Sequence, residues 1–251
     1  MSKFSKSNRI HILDGLRGLA IILVVTYHFL YDIGSIFNAF SIDFLYSPVV
    51  EGIRFTFLII LISVSGICTS FSRNVFKRGA TLYLLGQCIT LITSVVLPNE
   101  VVVFGILSFF GLSMLIYGIC KPLFDKIPWY IHFVVWTFLY IIFYDFTGSN
   151  TIHLIAWDVA IPSILATNKY LYPIGIITSD FVSSDYFPLI PWLFVFFAGT
   201  ALSVPITQKK FPKWFYQIRM PFIDFLGKNS LVIYILHQPI IYGLLLLIFQ
   251  A

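Results

Sequence analysis

Charge is what this chain has least of. Only 11% of its 251 residues are Asp, Glu, Lys or Arg, while 59% are hydrophobic. A soluble domain carries about 25% charged residues, so the composition excludes an ordinary soluble protein and points to an integral membrane one. Cysteine is also scarce. Cys68, Cys88 and Cys120 make an odd count, and their spacing fits no metal or redox motif, so they are read as small apolar packing residues. No polar domain, internal repeat, low-complexity tract or heptad run breaks the pattern. A Walker loop, a dinucleotide fingerprint, HExxH and GxSxG are all missing, and with them the chemistries those motifs carry. The first apolar run lacks a small-residue cleavage site and is followed by further spans, so it is expected to be retained and not removed as a signal peptide.

What the chain does have is apolar stretches at bilayer-spanning length, about 20 residues each. They are Phe55–Ser72, Ala80–Leu97, Val101–Cys120, Ile127–Tyr144, Pro188–Thr207 and Asn229–Ala251, with a seventh from about Ile12 to Ile33. The expected fold is an all-α polytopic transmembrane helix bundle of about seven spans plus a re-entrant or interfacial segment, one domain over residues 1–251.

The basic residues set an expected topology. With the N-terminus cytoplasmic, Lys3, Lys6, Arg9, Arg17, Arg73, Lys77, Arg78, Lys121, Lys126, Lys209, Lys210, Lys213, Arg219 and Lys228 all fall inside, leaving only Arg54 and Lys169 outside. That is a positive-inside pattern, and it places the C-terminus outside. It also accounts for the net charge of +5 without nucleic acid, since basic loops face anionic lipid. The connection Asp145–Phe187 is too apolar for a solvated loop. Its stretches Ile152–Trp157, Val159–Ala166 and Tyr170–Thr178 are nearly free of charge. A single extra crossing there would invert the sign pattern, so a re-entrant cover is expected. Such irregular backbone is tolerated at membrane depth only when packed in protein or lining a cavity. The mixed basic and aromatic stretch from Phe211 to Leu226 reads as a helix lying on the cytoplasmic interface.

One stripe of the first span is polar. Arg17 and His28 are eleven residues apart, and eleven steps of about 100° return to within about 20° of the start, about 16 Å further along the axis. Asp14 and Asp32 fall near the same face. Ionisable groups in a span are costly and usually face a bundle interior or a cavity. A lone intramembrane His is often structural, but Asp32 lies one turn from His28, the spacing at which side chains meet. A carboxylate beside an imidazole orients the ring and favours its basic role. Asp14 and Arg17, three residues apart, can form a neutralised pair, and Arg17 can snorkel to the inner interface.

Other polar groups are sparser. Glu51 and Arg54 have ion-pair spacing at the outer end of the second span. Asn229 and Ser230 suit an N-cap, whereas His237 and Gln238 lie near mid-membrane ahead of Pro239, which frees a backbone carbonyl one turn earlier. Asp185, followed by Tyr186, Phe187 and Pro188, is either a helix-start residue or an acid that holds a cationic acceptor. His132 and His153 lack comparable partners and are read as core or interfacial; His11 sits at the cytoplasmic entrance of the first span.

The run Asp14-Gly-Leu-Arg17-Gly-Leu-Ala-Ile-Ile-Leu, with His28-Phe-Leu-Tyr-Asp32 behind it, resembles the opening of the bacterial membrane family named after the heparan-alpha-glucosaminide N-acetyltransferase catalytic domain. Four further stretches resemble it too. These are Ser65-Gly66 leading to Lys77-Arg78, Phe104 to Gly111, Asp185 to Trp192, and Leu226 to Pro239. The spacing of Arg17 and His28 is similar to that of the acyltransferase-3 family. The resemblance implies acyl transfer from cytosolic acyl-CoA, acetyl-CoA above all, to an acceptor across the membrane. His28 would be the catalytic histidine, as general base or acyl carrier, with Asp32 orienting it. Asp14, Arg17, Arg78, Asn229, Ser230, His237 and Gln238 are the expected acyl-CoA-binding residues, with Arg17 on the acyl-CoA side. Arg54, Asp185 and Tyr186 are the expected acceptor-binding residues. The implied acceptor is an amine or hydroxyl of a sugar or glycan. No metal is expected; membrane lipid is an expected partner, a homodimer is one possible state, and a prokaryotic cytoplasmic membrane is the expected location. A transporter or flippase without covalent chemistry also suits intramembrane charge and broken helices, but an odd span count without a repeat fits it poorly. A purely structural partner leaves the polar stripe without a role.

Overall fold

The computed structural model describes residues 9–149, 151–153 and 158–249. The main helices come first: α1 is His11–Tyr31, α2 Pro48–Ser70, α3 Val75–Val96, α4 Ile106–Phe124 and α5 Trp129–Phe143. Short elements follow: α6 Phe146–Ser149, β1 Thr151–His153, β2 Asp158–Ala160 and α7 Ser163–Ala166. Then come α8 Leu189–Thr207, α9 Lys213–Gln217, α10 Pro221–Lys228 and α11 Ser230–Phe249. Among the described residues the protein is all-α apart from the two three-residue strands. Among the described residues, six helices are long and apolar enough to cross a membrane. The expected span Ile127–Tyr144 forms α5, whose 15 residues reach about 22 Å against a hydrocarbon core of about 30 Å. Lys3, Lys6 and Ala251, and residues 154–157 of the apolar stretch Ile152–Trp157, lie outside the described residues.

By internal contacts the chain divides into two units, residues 1–64 with 209–251 and residues 65–208, the boundary falling within α2. In the first unit α1 packs against α10 and α11. Glycine sets the α1–α10 spacing. A Cβ on Gly18 would strike the Ile223 carbonyl, one on Gly227 would strike the Asp14 carbonyl, and one on Gly15 would meet the Met220 side chain. The stretch from Phe211 to Leu226 is therefore not one interfacial helix. It breaks after Gln217 and restarts at Pro221, where a proline at the first helical position costs no hydrogen bond. The second piece then docks on α1 backbone to backbone. Beyond Tyr31, α1 widens into a π turn over Asp32–Ile36, with the Phe37 N–H donating to the Asp32 carbonyl at 3.0 Å. The 3.6-residue period cannot foresee this device, which is common at functional sites.

In the second unit α3 and α4 form an antiparallel pair, again spaced by glycine. A Cβ on Gly86 would strike Ser108, and one on Gly111 would strike the backbone of Tyr83. Asn74 caps α3 by accepting from the Lys77 N–H at 2.9 Å. Aromatic rings fill the space between α4, α5 and α8. Phe109 meets Phe196 edge-on, Phe124 meets Phe197, and Trp136 stacks on Phe194 with centroids 5.8 Å apart. Between α5 and α8 the chain forms no helix long enough to cross, among the described residues. It is instead pinned at several points. Thr147 Oγ1 donates to the Ile190 carbonyl at 3.1 Å, the Phe187 N–H to the Phe104 carbonyl at 3.0 Å, and the Tyr186 hydroxyl to the Tyr172 carbonyl.

Candidate active site

The polar stripe of α1 faces α11, and the two helices run in the same direction. Three pairs show this: Arg17 with Ser230, His28 with His237, and Asp32 with Gln238. Residue numbers rise together along both helices, so both cross the same way. Sixteen described residues of α1 and its π turn are Leu, Ile, Val, Ala or Gly in an otherwise aromatic and polar run, which lets the helix form in an apolar medium while leaving these few polar positions to meet α11.

At the first rung Arg17 Nη2 donates to Ser230 Oγ at 2.7 Å, and Arg17 Nε is buried without a hydrogen-bond partner among the described residues. Asp14 does not take up Arg17 as the spacing allowed. Its carboxylate accepts from Arg9, Nε to Oδ2 at 2.5 Å and Nη2 to Oδ1 at 3.0 Å. Arg17 is thus left without an ion pair among the described residues. Asn229 ends α10, its Nδ2 donating to the Phe225 carbonyl at 2.8 Å, and it also opens α11, its own carbonyl accepting from the Ile233 N–H at 3.0 Å. Nearby, His11 Nδ1 lies 3.0 Å from Asp224 Oδ2, a pair the sequence reading missed. The available signal was a lone acid in a basic stretch.

At the second rung the rings of His28 and His237 are 5.0 Å apart, inclined at 60°. His237 Nδ1 is 2.6 Å from the Tyr234 carbonyl. A carbonyl only accepts, so Nδ1 carries the proton. His28 also meets the Tyr27 ring edge-on and makes no hydrogen bond among the described residues. At the third rung the fully buried Asp32 accepts from Gln238 Nε2 through both oxygens, at 3.0 and 2.9 Å. Gln238 Oε1 is buried without a hydrogen-bond partner among the described residues.

Arg54 makes the ion pair its spacing suggested, with Glu51 at 3.1 Å, and also donates to the Tyr27 hydroxyl at 3.0 Å while lying over that ring. Tyr27, between Arg54 and His28, was not singled out in the sequence. Arg78, Asp185 and Tyr186 belong to the second unit. Arg78 is exposed in the first turn of α3. Asp185 lies beside Gly105, where an added Cβ would sit 3.2 Å from its Oδ2. Burial pushes the Tyr186 hydroxyl well above its ordinary value. His132 is buried against Phe124 and Trp136, as a core residue. His153 lies on β1, its side chain outside the described part. Among the described residues no group of three or more His, Cys, Asp or Glu is placed to hold a metal.

The model of one family, described as the heparan-alpha-glucosaminide N-acetyltransferase catalytic family, matches residues 9–239. All three rungs lie within the match. No curated protein and no solved structure matches the chain.

Proposed function

This chain belongs to the heparan-alpha-glucosaminide N-acetyltransferase catalytic family, a membrane acetyltransferase type, and we propose that it moves an acetyl group from cytosolic acetyl-CoA to an amine or hydroxyl of a sugar or glycan acceptor. The observation that carries the proposal is His28. It stands on a polar seam inside an apolar helix pair, held by ring contacts and free to accept a proton. Arg17 receives the anionic end of acyl-CoA, and its unpartnered Nε supports that role. Ser230 holds the guanidinium in place. Asp14 serves indirectly, by keeping Arg9 at the same end.

His28 takes the proton from the acceptor N–H or O–H as its nitrogen or oxygen bonds to the acetyl carbonyl carbon. The thioester C–S bond then breaks, and the coenzyme leaves as a thiol with the proton that His28 carried. Asp32, held by Gln238, stabilises the charge that His28 acquires. Arg78 assists at the acyl-CoA end, and Arg54, Asp185 and Tyr186 are proposed acceptor contacts. An N-terminus in the cytoplasm and a C-terminus outside, in a prokaryotic cytoplasmic membrane, put acyl-CoA at the Arg17 end. The test is transfer of radiolabelled acetyl from acetyl-CoA to a panel of amino sugars and hydroxylated sugars by the purified protein. Label that enters none of them while acetyl-CoA still binds contradicts the acceptor class; no acetyl-CoA binding contradicts the donor.

A further inference from the structure

The segment between α8 and α11 carries two features that the transferase reading leaves unused. Lys209, Lys210, Lys213, Arg219 and Lys228 are all exposed, and none is in an ion pair among the described residues. The one acid in the segment, Asp224, is only 3% exposed and turned onto His11. Trp214, Phe222 and Phe225 are 55%, 71% and 60% exposed. Phe222 and Phe225 share one side of α10, three residues apart, while Ile223 and Gly227 face α1 on the other. The cations call for anionic charge, and the exposed aromatic rings call for a boundary between apolar and polar media, where such rings concentrate. A basic amphipathic segment at a charged bilayer surface satisfies both. A free nucleotide phosphate satisfies the first and leaves the rings in water.

We infer that residues 209–228 form a binding surface for anionic phospholipid, with headgroup phosphates on the cations and the aromatic side of α10 at the acyl boundary. This goes beyond the transferase reading and does not depend on it. Because α10 meets α1 at backbone contact, lipid bound there stabilises the native first unit by mass action.

The test uses the full-length protein in a neutral detergent, with phosphatidylglycerol or phosphatidylcholine added and bound lipid read by native mass spectrometry. A basic residue near an anionic surface is worth roughly fivefold in affinity. The wild type should therefore prefer phosphatidylglycerol by at least about tenfold, less at high salt, where exposed charges are screened. The variant Lys209→Gln, Lys210→Gln, Lys213→Gln, Arg219→Gln, Lys228→Gln should lose the preference, and Lys121→Gln with Lys126→Gln should keep it. Equal binding of the two lipids to the wild type, a preference indifferent to salt, or a preference kept by the five-fold variant overturns the inference. A third arm offers adenosine 3′,5′-bisphosphate. If the five-fold variant loses that nucleotide but keeps phosphatidylglycerol, the surface serves free phosphate and the lipid assignment is wrong. Should that variant misfold, the lipid preference and salt dependence of the wild type decide.

Discussion

His28 on α1 and His237 on α11 face each other with ring centroids 5.0 Å apart, and the proton of His237 Nδ1 is committed to the Tyr234 carbonyl. A neutral His237 therefore offers Nε2 as an acceptor, while His28 is held by contact alone. The two rings differ in freedom, and in the proposed mechanism the one without a hydrogen bond among the described residues, His28, exchanges a proton with the substrate.

Arg17→Ala should weaken acetyl-CoA binding by about tenfold or more, the worth of a charge-assisted contact of roughly 1.5–3 kcal/mol. Arg54→Ala should leave that affinity near wild type, because Arg54 is engaged by Glu51 and Tyr27. Equilibrium binding to the purified protein compares the two. Equal losses contradict the assignment of Arg17 to the coenzyme.

Asp32 and Gln238 should behave as one unit. Asp32→Asn, Gln238→Leu and the double variant form a cycle, and neighbours sharing a buried hydrogen bond couple by about 0.5–3 kcal/mol. Thermal unfolding in detergent reads the stabilities. Additive effects of the two substitutions show that the bidentate contact contributes nothing.

Gly18→Ala and Gly227→Ala each put a methyl group against a backbone carbonyl. Overpacking of this kind costs about 1–3 kcal/mol, so both should lower the melting temperature. Gly52→Ala is the control, since nothing lies within 4 Å of its added Cβ, and it should be neutral or slightly stabilising. A melting temperature unchanged in the first two variants contradicts the tight α1–α10 contact.

The helices α1 and α11 run the same way, so the proposed topology puts the start of α1 and the end of α11 on opposite sides of the membrane. A reporter fused after Ala251 should behave as extracytoplasmic if the basic residues set the topology as expected. A cytoplasmic signal reverses the proposed orientation.

The polar stripe was legible in the sequence because one helix obeys one period, and Arg17, His28 and Asp32 all lie within the regular part of α1 or at its end. Ser230, His237 and Gln238 also stood out as polar residues in an apolar span. Their pairing was not legible, because it depends on the register of α11 against α1, which no local pattern encodes. The pair Arg9 and Asp14 was missed because Arg9 precedes the helix, where helical spacing does not apply. Docking of α10 was missed because Gly15, Gly18 and Gly227 act by lacking a side chain. An uncharged apolar stretch of spanning length marked Ile127–Tyr144 as a span; the helix in it starts only after Pro128 and ends at Phe143.

The most direct measurement is acetyl transfer by His28→Gln beside the wild type, with acetyl-CoA affinity measured on the same preparations. Glutamine keeps much of the size and polarity of histidine but cannot take the proton. Removal of a general base costs about 10²–10⁴ in rate. The expected result is acetyl-CoA affinity within about twofold of wild type and transfer reduced by about that factor. Near wild-type transfer by His28→Gln to an acceptor the native enzyme uses would make His28 a structural residue and contradict the proposed mechanism.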